Sequence, residues 1–124
     1  MHVFEYAVIR LVPIVEREEF INVGVILYCP KQKFLQTKIS INEKRLKALS
    51  GELDIGDITK HLLAIEQICL GTKSSGPIGQ LDVAGRFRWL TATRSTIIQS
   101  SKIHPGLCID PEEMLERLYK EQVG

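Results

Sequence analysis

Phe20-Ile21-Asn22-Val23-Gly24-Val25-Ile26-Leu27-Tyr28-Cys29, then Pro30-Lys31-Gln32-Lys33, then Phe34-Leu35-Gln36-Thr37-Lys38-Ile39-Ser40-Ile41, is the stretch that decides the fold class. Its first part is β-branched, aliphatic and aromatic, as in a strand. The odd positions Ile21, Val23, Val25 and Leu27 are expected to make one continuous apolar face, while Asn22 and Gly24 interrupt the other. A glycine inside such a strand signals a bulge or the close approach of another backbone. Pro30 to Lys33 read as a turn. Residues 34–41 alternate strictly, Leu35, Thr37, Ile39 and Ile41 against Phe34, Gln36, Lys38 and Ser40. That predicts a half-buried strand with one wet face, on which Lys38 blunts an edge.

Upstream, residues 3–12 supply another strand with aliphatic bulk on both faces, ended by Pro13, which has no N–H to give to a ladder. Glu16-Arg17-Glu18-Glu19 is a charged connection. Three strands with short connections imply an antiparallel meander. Downstream the pattern turns helical. Asn42 starts a short helix over 42–49. Asp54 caps a longer one to about Leu70, with Gly71 as its stop, and Ile55, Ile58, Leu62, Ile65 and Cys69 form its core stripe. Residues 71–79 read as a loop, and Asp82 caps a helix to about Thr91. Ser95–Ser100 reads as a fourth strand, and Pro105-Gly106 as a break. Asp110-Pro111-Glu112-Glu113 opens a last helix: a cap, a proline in the first turn, then acids at the positive end of the dipole. Met114, Leu115, Leu118 and Tyr119 supply its buried side. The expectation is one α+β domain over residues 1–124, a mainly antiparallel sheet of three to four strands packed on helices.

Composition narrows the function. A chain of 124 residues with net charge +1 has no global pull toward nucleic acid or anionic membrane. Any electrostatic role must come from local clustering. Cys29, Cys69 and Cys108 are far apart, odd in number and set among apolar residues, so they read as free buried thiols of a cytoplasmic protein, neither a disulfide framework nor a zinc set. The N-terminus shows neither a basic nor a long apolar signal region, and no apolar stretch approaches the ~20 residues that span a bilayer. No cofactor or metal is expected.

The most unusual segment is Arg86-Phe87-Arg88-Trp89-Leu90-Thr91-Ala92-Thr93-Arg94-Ser95-Thr96. Its guanidiniums present rigid donor forks suited to phosphate or carboxylate, Ser95 and Thr96 add hydroxyls, and Phe87 and Trp89 offer stacking surfaces. The plainer reading is also open: Phe87 and Leu90, three apart, make the core side of a helix whose arginines are its solvated or ion-paired side. Arg10 is a second candidate, on a strand face otherwise made of Tyr6, Val8 and Val12. A buried arginine needs a partner, and Glu18, Glu19 and Asn22 are near in sequence, so a structural ion pair competes with a ligand site. His104 is the remaining acid–base candidate. Pro105 and Gly106 keep it off a common helical face with Cys108, and Glu16, Glu18 and Glu19 lack the spaced partners of a metal site.

Taken together, Phe4-Glu5-Tyr6-Ala7-Val8-Ile9-Arg10, Glu16 to Val25, Arg86 to Ala92 with Arg94-Ser95-Thr96, and His104-Pro105-Gly106 resemble the bacterial family catalogued as domain of unknown function 3037. The resemblance covers nearly the whole chain and brings no assigned activity and no catalytic residues. It implies a small stand-alone protein, sometimes encoded beside a kinase of the HipA-like class, and hence a partner protein.

Two functions follow as expectations. One is a non-enzymatic binding or accessory module that uses the arginine-rich surface for an anion or a partner. The alternative is an enzyme on a phosphate-bearing or nucleic-acid substrate, with Arg10, Arg86, Arg88 and Arg94 stabilising charge and Glu18 or His104 moving protons. The absence of a recognisable nucleophile or metal set favours the first. Nucleic-acid affinity is expected to be weak: the arginines with Lys102 neutralise few phosphates, at a salt slope of about −0.9 each. The last fifteen residues, with five acids against two bases, repel the backbone.

Overall fold

A computed structural model describes residues 1–13, 20–49, 54–92 and 97–123. Strands β1 (His2–Leu11), β2 (Ile21–Cys29) and β3 (Phe34–Ile39) form the expected meander. Pro30–Gln32 makes one tight helical turn between β2 and β3, closed by Lys33 in the left-handed region at φ 49°. Helices α1 (Glu43–Leu49), α2 (Ile55–Leu70), the single turn α3 (Gly76–Gly79) and α4 (Val83–Leu90) follow. Strands β4 (Ile98–Ser100) and β5 (His104–Cys108) and helix α5 (Pro111–Gln122) complete the order. All pairings are antiparallel. β1 is central: β2 flanks one side, while β4 and β5 share the other, β4 beside Ile9 to Leu11 and β5 beside His2 to Tyr6.

The fold is α+β, as expected, with a fifth strand where a break was read at Pro105-Gly106. Pro105 is tolerated because β5 is an edge strand, where a missing N–H leaves no ladder bond unmade. Gly106 lies opposite Phe4, and a side chain there would press a Cβ to 2.5 Å from the Phe4 ring. Residues 71–79, read as a loop, carry a short turn at Lys73–Ser75 and α3.

The sheet is covered on both faces. On one, which we term the α2 face, Ala7, Ile9, Leu11, Val23, Ile26, Tyr28 and Leu35 meet Leu46, Ile58, Leu62, Cys69 and Phe87. On the other, the α5 face, Phe4, Val25, Leu27, Cys29 and Cys108 meet Leu115, Leu118 and Val123. The α2 stripe is as predicted, with Ile55 and Ile65 packed at its margin. So are the caps: Asp54 accepts from the Asp57 amide, and Gly71 at φ 67° ends the helix. β3 has no fully wet face, because Phe34 packs into the α5 core and Lys38 reaches Glu116 and the Tyr119 ring.

One expectation fails informatively. Ile21, Val23, Val25 and Leu27 do not share a face. Val23 lies in the α2-face core with Ile21 against it, while Val25 and Leu27 lie in the other core. The cause is a β-bulge: Ile9 pairs with Gly24 but Arg10 pairs with Asn22, so Val23 is an extra residue. An insertion of one reverses the alternation beyond it. Gly24 fits the role foreseen for it in a second way, since a Cβ there would lie 2.9 Å from the Lys38 carbonyl oxygen of β3.

Candidate functional site

The arginine segment divides in the folded chain. α4 begins at Asp82, whose carboxylate accepts from the Gly85 amide, and its apolar side buries Phe87 completely, 5.1 Å from the Tyr28 ring centroid. Arg86 points back to the end of α2. Its Nη1 donates to the carbonyls of Ile68 at 3.0 Å and Cys69 at 2.9 Å, so the guanidinium caps the negative pole of that helix. Gly71 makes room for it, since an added Cβ there would fall 2.5 Å from Arg86 Nη1. Burial pushes the Cys69 thiol up to about 12; the Arg86 charge pulls against this and Glu66 adds to it. Cys69 is therefore an inert thiol and not a nucleophile. Arg88 is exposed. Arg94, Ser95 and Thr96 lie outside the described residues.

Beside this segment runs an open groove of about 560 Å³. One wall is α2, which contributes Asp57, Ile58, His61, Ala64, Ile65 and Ile68; the other is Trp89 with Ile97 and Ile98. The α2 residues recur at three-and-four spacing, a second stripe beside the core stripe. Among the described residues its titratable groups are Asp57 and His61, one turn apart, with Nε2 of His61 and Oδ1 of Asp57 separated by 4.0 Å. Trp89 is 38% exposed and Ile97 46%, large apolar surface that the described residues leave in contact with solvent. The sequence reading had Trp89 as a stacking surface but missed the groove, because Ala64 and His61 do not stand out as an apolar stripe. A signal was available in Ile97, an apolar residue directly after the hydroxyl-rich Arg94-Ser95-Thr96.

Arg10 lies on the α5 face, the side of the sheet opposite α4. It is partly buried, its Cζ sits 4.4 Å from the centroid of the Phe20 ring, and its Nε has no hydrogen-bond partner. Among the described residues Arg10 makes this cation–π contact; Glu18 and Glu19, the acids read as its ion-pair partners, lie outside them. Asn22 stands beside Arg10 and donates from Nδ2 to the Gln122 carbonyl oxygen at 2.9 Å. His104 is exposed at the start of β5, its ring 5.2 Å from that of Tyr6. The structure thus joins Arg10 with Asn22, and keeps both apart from Arg86 and Arg88. Among the described residues no three of His, Cys, Asp and Glu group as metal ligands would, and no helix is long and apolar enough to cross a membrane.

The family model described as a protein of unknown function (DUF3037) matches residues 6–123. No curated protein and no solved structure matches the chain.

Proposed function

We propose a role for a chain that belongs to the DUF3037 family of unknown function: it is a non-enzymatic binding module whose partner seats in the groove between α2 and the Trp89–Ile97 wall. The observation that carries this is the groove itself, mainly apolar, with Trp89 and Ile97 exposed at its side. Aromatic anchors flanked by apolar surface are where protein interfaces concentrate their binding energy, and a volume of this size is in the range of specific sites. Arg88, exposed on the same helix as Trp89, offers a cation to a partner that extends beyond the groove and favours one with an acidic border. A cytoplasmic protein is the partner class we favour, and a kinase of the HipA-like class is the first to test.

We favour a binding role over an enzymatic one because His104, the acid–base candidate among the described residues, does not share a cleft with the arginines of α4. Arg86 is engaged with α2, and His104 stands on β5 at the far side of the sheet from it. The test is a pull-down from the native host with tagged wild type and tagged Ile97→Asp, scored for a kinase of that class and for nucleic acid. A kinase retained by wild type and lost by the variant is expected. Equal retention by both places the interface elsewhere, and nucleic acid that stays bound at physiological salt contradicts the reading.

A further inference from the structure

The bulge in β2 has a chemical consequence on the α5 face. Ile9 and Leu11 are buried in the α2-face core, so Arg10 between them points the other way. Ile21 and Val23 likewise send Asn22 to the α5 face, and Ile98 sends Gln99 there. Arg10 pairs across the strands with Asn22 on one side and Gln99 on the other. The result is a polar row, Gln99–Arg10–Asn22, across three strands of an otherwise apolar sheet. Were this sequence paired regularly, with no bulge and Val23 opposite Arg10, Asn22 would face the apolar α2 core.

Two atoms in this row are sealed from water and lack partners: Arg10 Nε, a donor, and Asn22 Oδ1, an acceptor. The amide orientation is fixed, because the other end of Asn22 faces the Gln122 carbonyl oxygen, which only Nδ2 can serve. Buried orphan groups in native proteins call for a cause, since each costs its full desolvation. One face of the guanidinium lies under Phe20, which is 48% exposed and forms the outer wall. A stacked guanidinium is held rigid and presents its donor fork edge-on, the arrangement that suits a carboxylate.

We propose that Arg10 and Asn22 form a binding site for a carboxylate bearing a hydrogen-bond donor on its α position, as an α-hydroxy acid or the last residue of a peptide does. The carboxylate takes the Nε edge of Arg10 and the α-donor meets Asn22 Oδ1. The Phe20 ring swings aside to admit the ligand and then covers it. A bare carboxylate satisfies Arg10 and leaves Asn22 unmatched, which is the source of the selectivity. The site is independent of the α2 groove and stands on the opposite face of the sheet.

The experiment follows the Arg10 Nε–H resonance in the full ¹⁵N-labelled chain, identified by its loss in Arg10→Lys. The probes are lactate, N-acetylglycylglycine and propionate. A saturable shift with lactate, with acetylglycylglycine, or with both is expected. Propionate should bind about tenfold more weakly, the factor that one hydrogen bond of about 1.4 kcal/mol represents. Preference for lactate identifies a free small acid as the source, and preference for the dipeptide a chain terminus; either result supports the site. Asn22→Ala should erase the discrimination against propionate. Because that variant also loosens the end of α5, the comparison of the three probes on wild type decides alone. No response to any probe means that water satisfies the two atoms, and equal affinity for lactate and propionate removes the role of Asn22; each overturns the proposal.

Discussion

The two faces of the sheet are finished differently where β1 ends. On the α2 face Ile9, Leu11 and Val23 close a continuous core, and the apolar surface left over becomes a groove outside it. On the α5 face the interleaved residues Arg10, Asn22 and Gln99 form a polar row beside the C-terminus of α5. The same strands make both, because residues one apart point to opposite sides. The difference teaches what the bulge is for. It costs regular pairing at Val23, and it turns Ile21 and Val23 to the α2 face and Asn22 to the α5 face, the reverse of what unbroken alternation from Val25 would give.

The comparison breaks most visibly at Phe87, the largest fully buried side chain of the α2 face. Phe87→Ala should lower stability by about 3–5 kcal/mol in urea unfolding, the range for truncating a buried aromatic. The Arg10 resonance should keep its position in the folded fraction, since the row lies across the sheet. A shift there would show that the faces are not independent. Next is Arg86. Arg86→Ala removes charge-assisted bonds to two helix-end carbonyls, and should cost about 1.5–3 kcal/mol. The lower half of that range is expected, because the buried Nε of Arg86 has no partner and its removal returns part of the loss. Arg88→Ala on the same helix should change stability by no more than about 0.5 kcal/mol, as an exposed surface substitution does. A similar loss for both arginines would contradict the division of the segment into a cap and an exposed arginine.

Cys69 sharpens the account of the α2 face by pH. Its thiol is held protonated to about 12 in the folded chain, above the ordinary value of 9.0. Between these values the unfolded chain has lost a proton that the native chain keeps. Stability should therefore be intact below pH 9 and fall as pH rises toward 12, at up to about 1.4 kcal/mol per pH unit. Urea midpoints at rising pH, compared with Cys69→Ala, isolate the effect from the other groups that titrate there. Parallel curves for the two proteins would show that the thiol is not shielded as described.

Much of this was legible in the residues. The strands, the Asp54, Asp82 and Asp110 caps, the Gly71 stop and the stripes of α2 and α5 all follow from period and capping chemistry, which are local. β5 was not legible, because Pro105-Gly106 reads as a break until an edge position makes proline harmless. The division of β2 between two cores was not legible either. Gly24 announced a bulge, but which residue was the extra one depends on the register with β1, a long-range fact. For the candidate site, Asn22 was read, with Glu18 and Glu19, as a residue near Arg10, and it does stand beside it. Glu18 and Glu19, the acids read as partners for Arg10, lie outside the described residues; the contact that the described residues show is the Phe20 ring, which no spacing rule indicates. Arg86 read as part of an anion surface because nothing in the sequence shows that α4 lies against the end of α2.

The central claim, that the groove seats a partner, is tested most directly through Trp89, the single tryptophan of the chain. Its emission, selectively followed while a tryptophan-free segment of the captured partner is titrated in, should shift to shorter wavelength as the groove closes over the ring, with a saturation curve that Ile97→Asp weakens at least about tenfold, or about 1.4 kcal/mol. A complex that forms with full affinity while Trp89 emission stays unchanged, and that Ile97→Asp binds equally well, would contradict it.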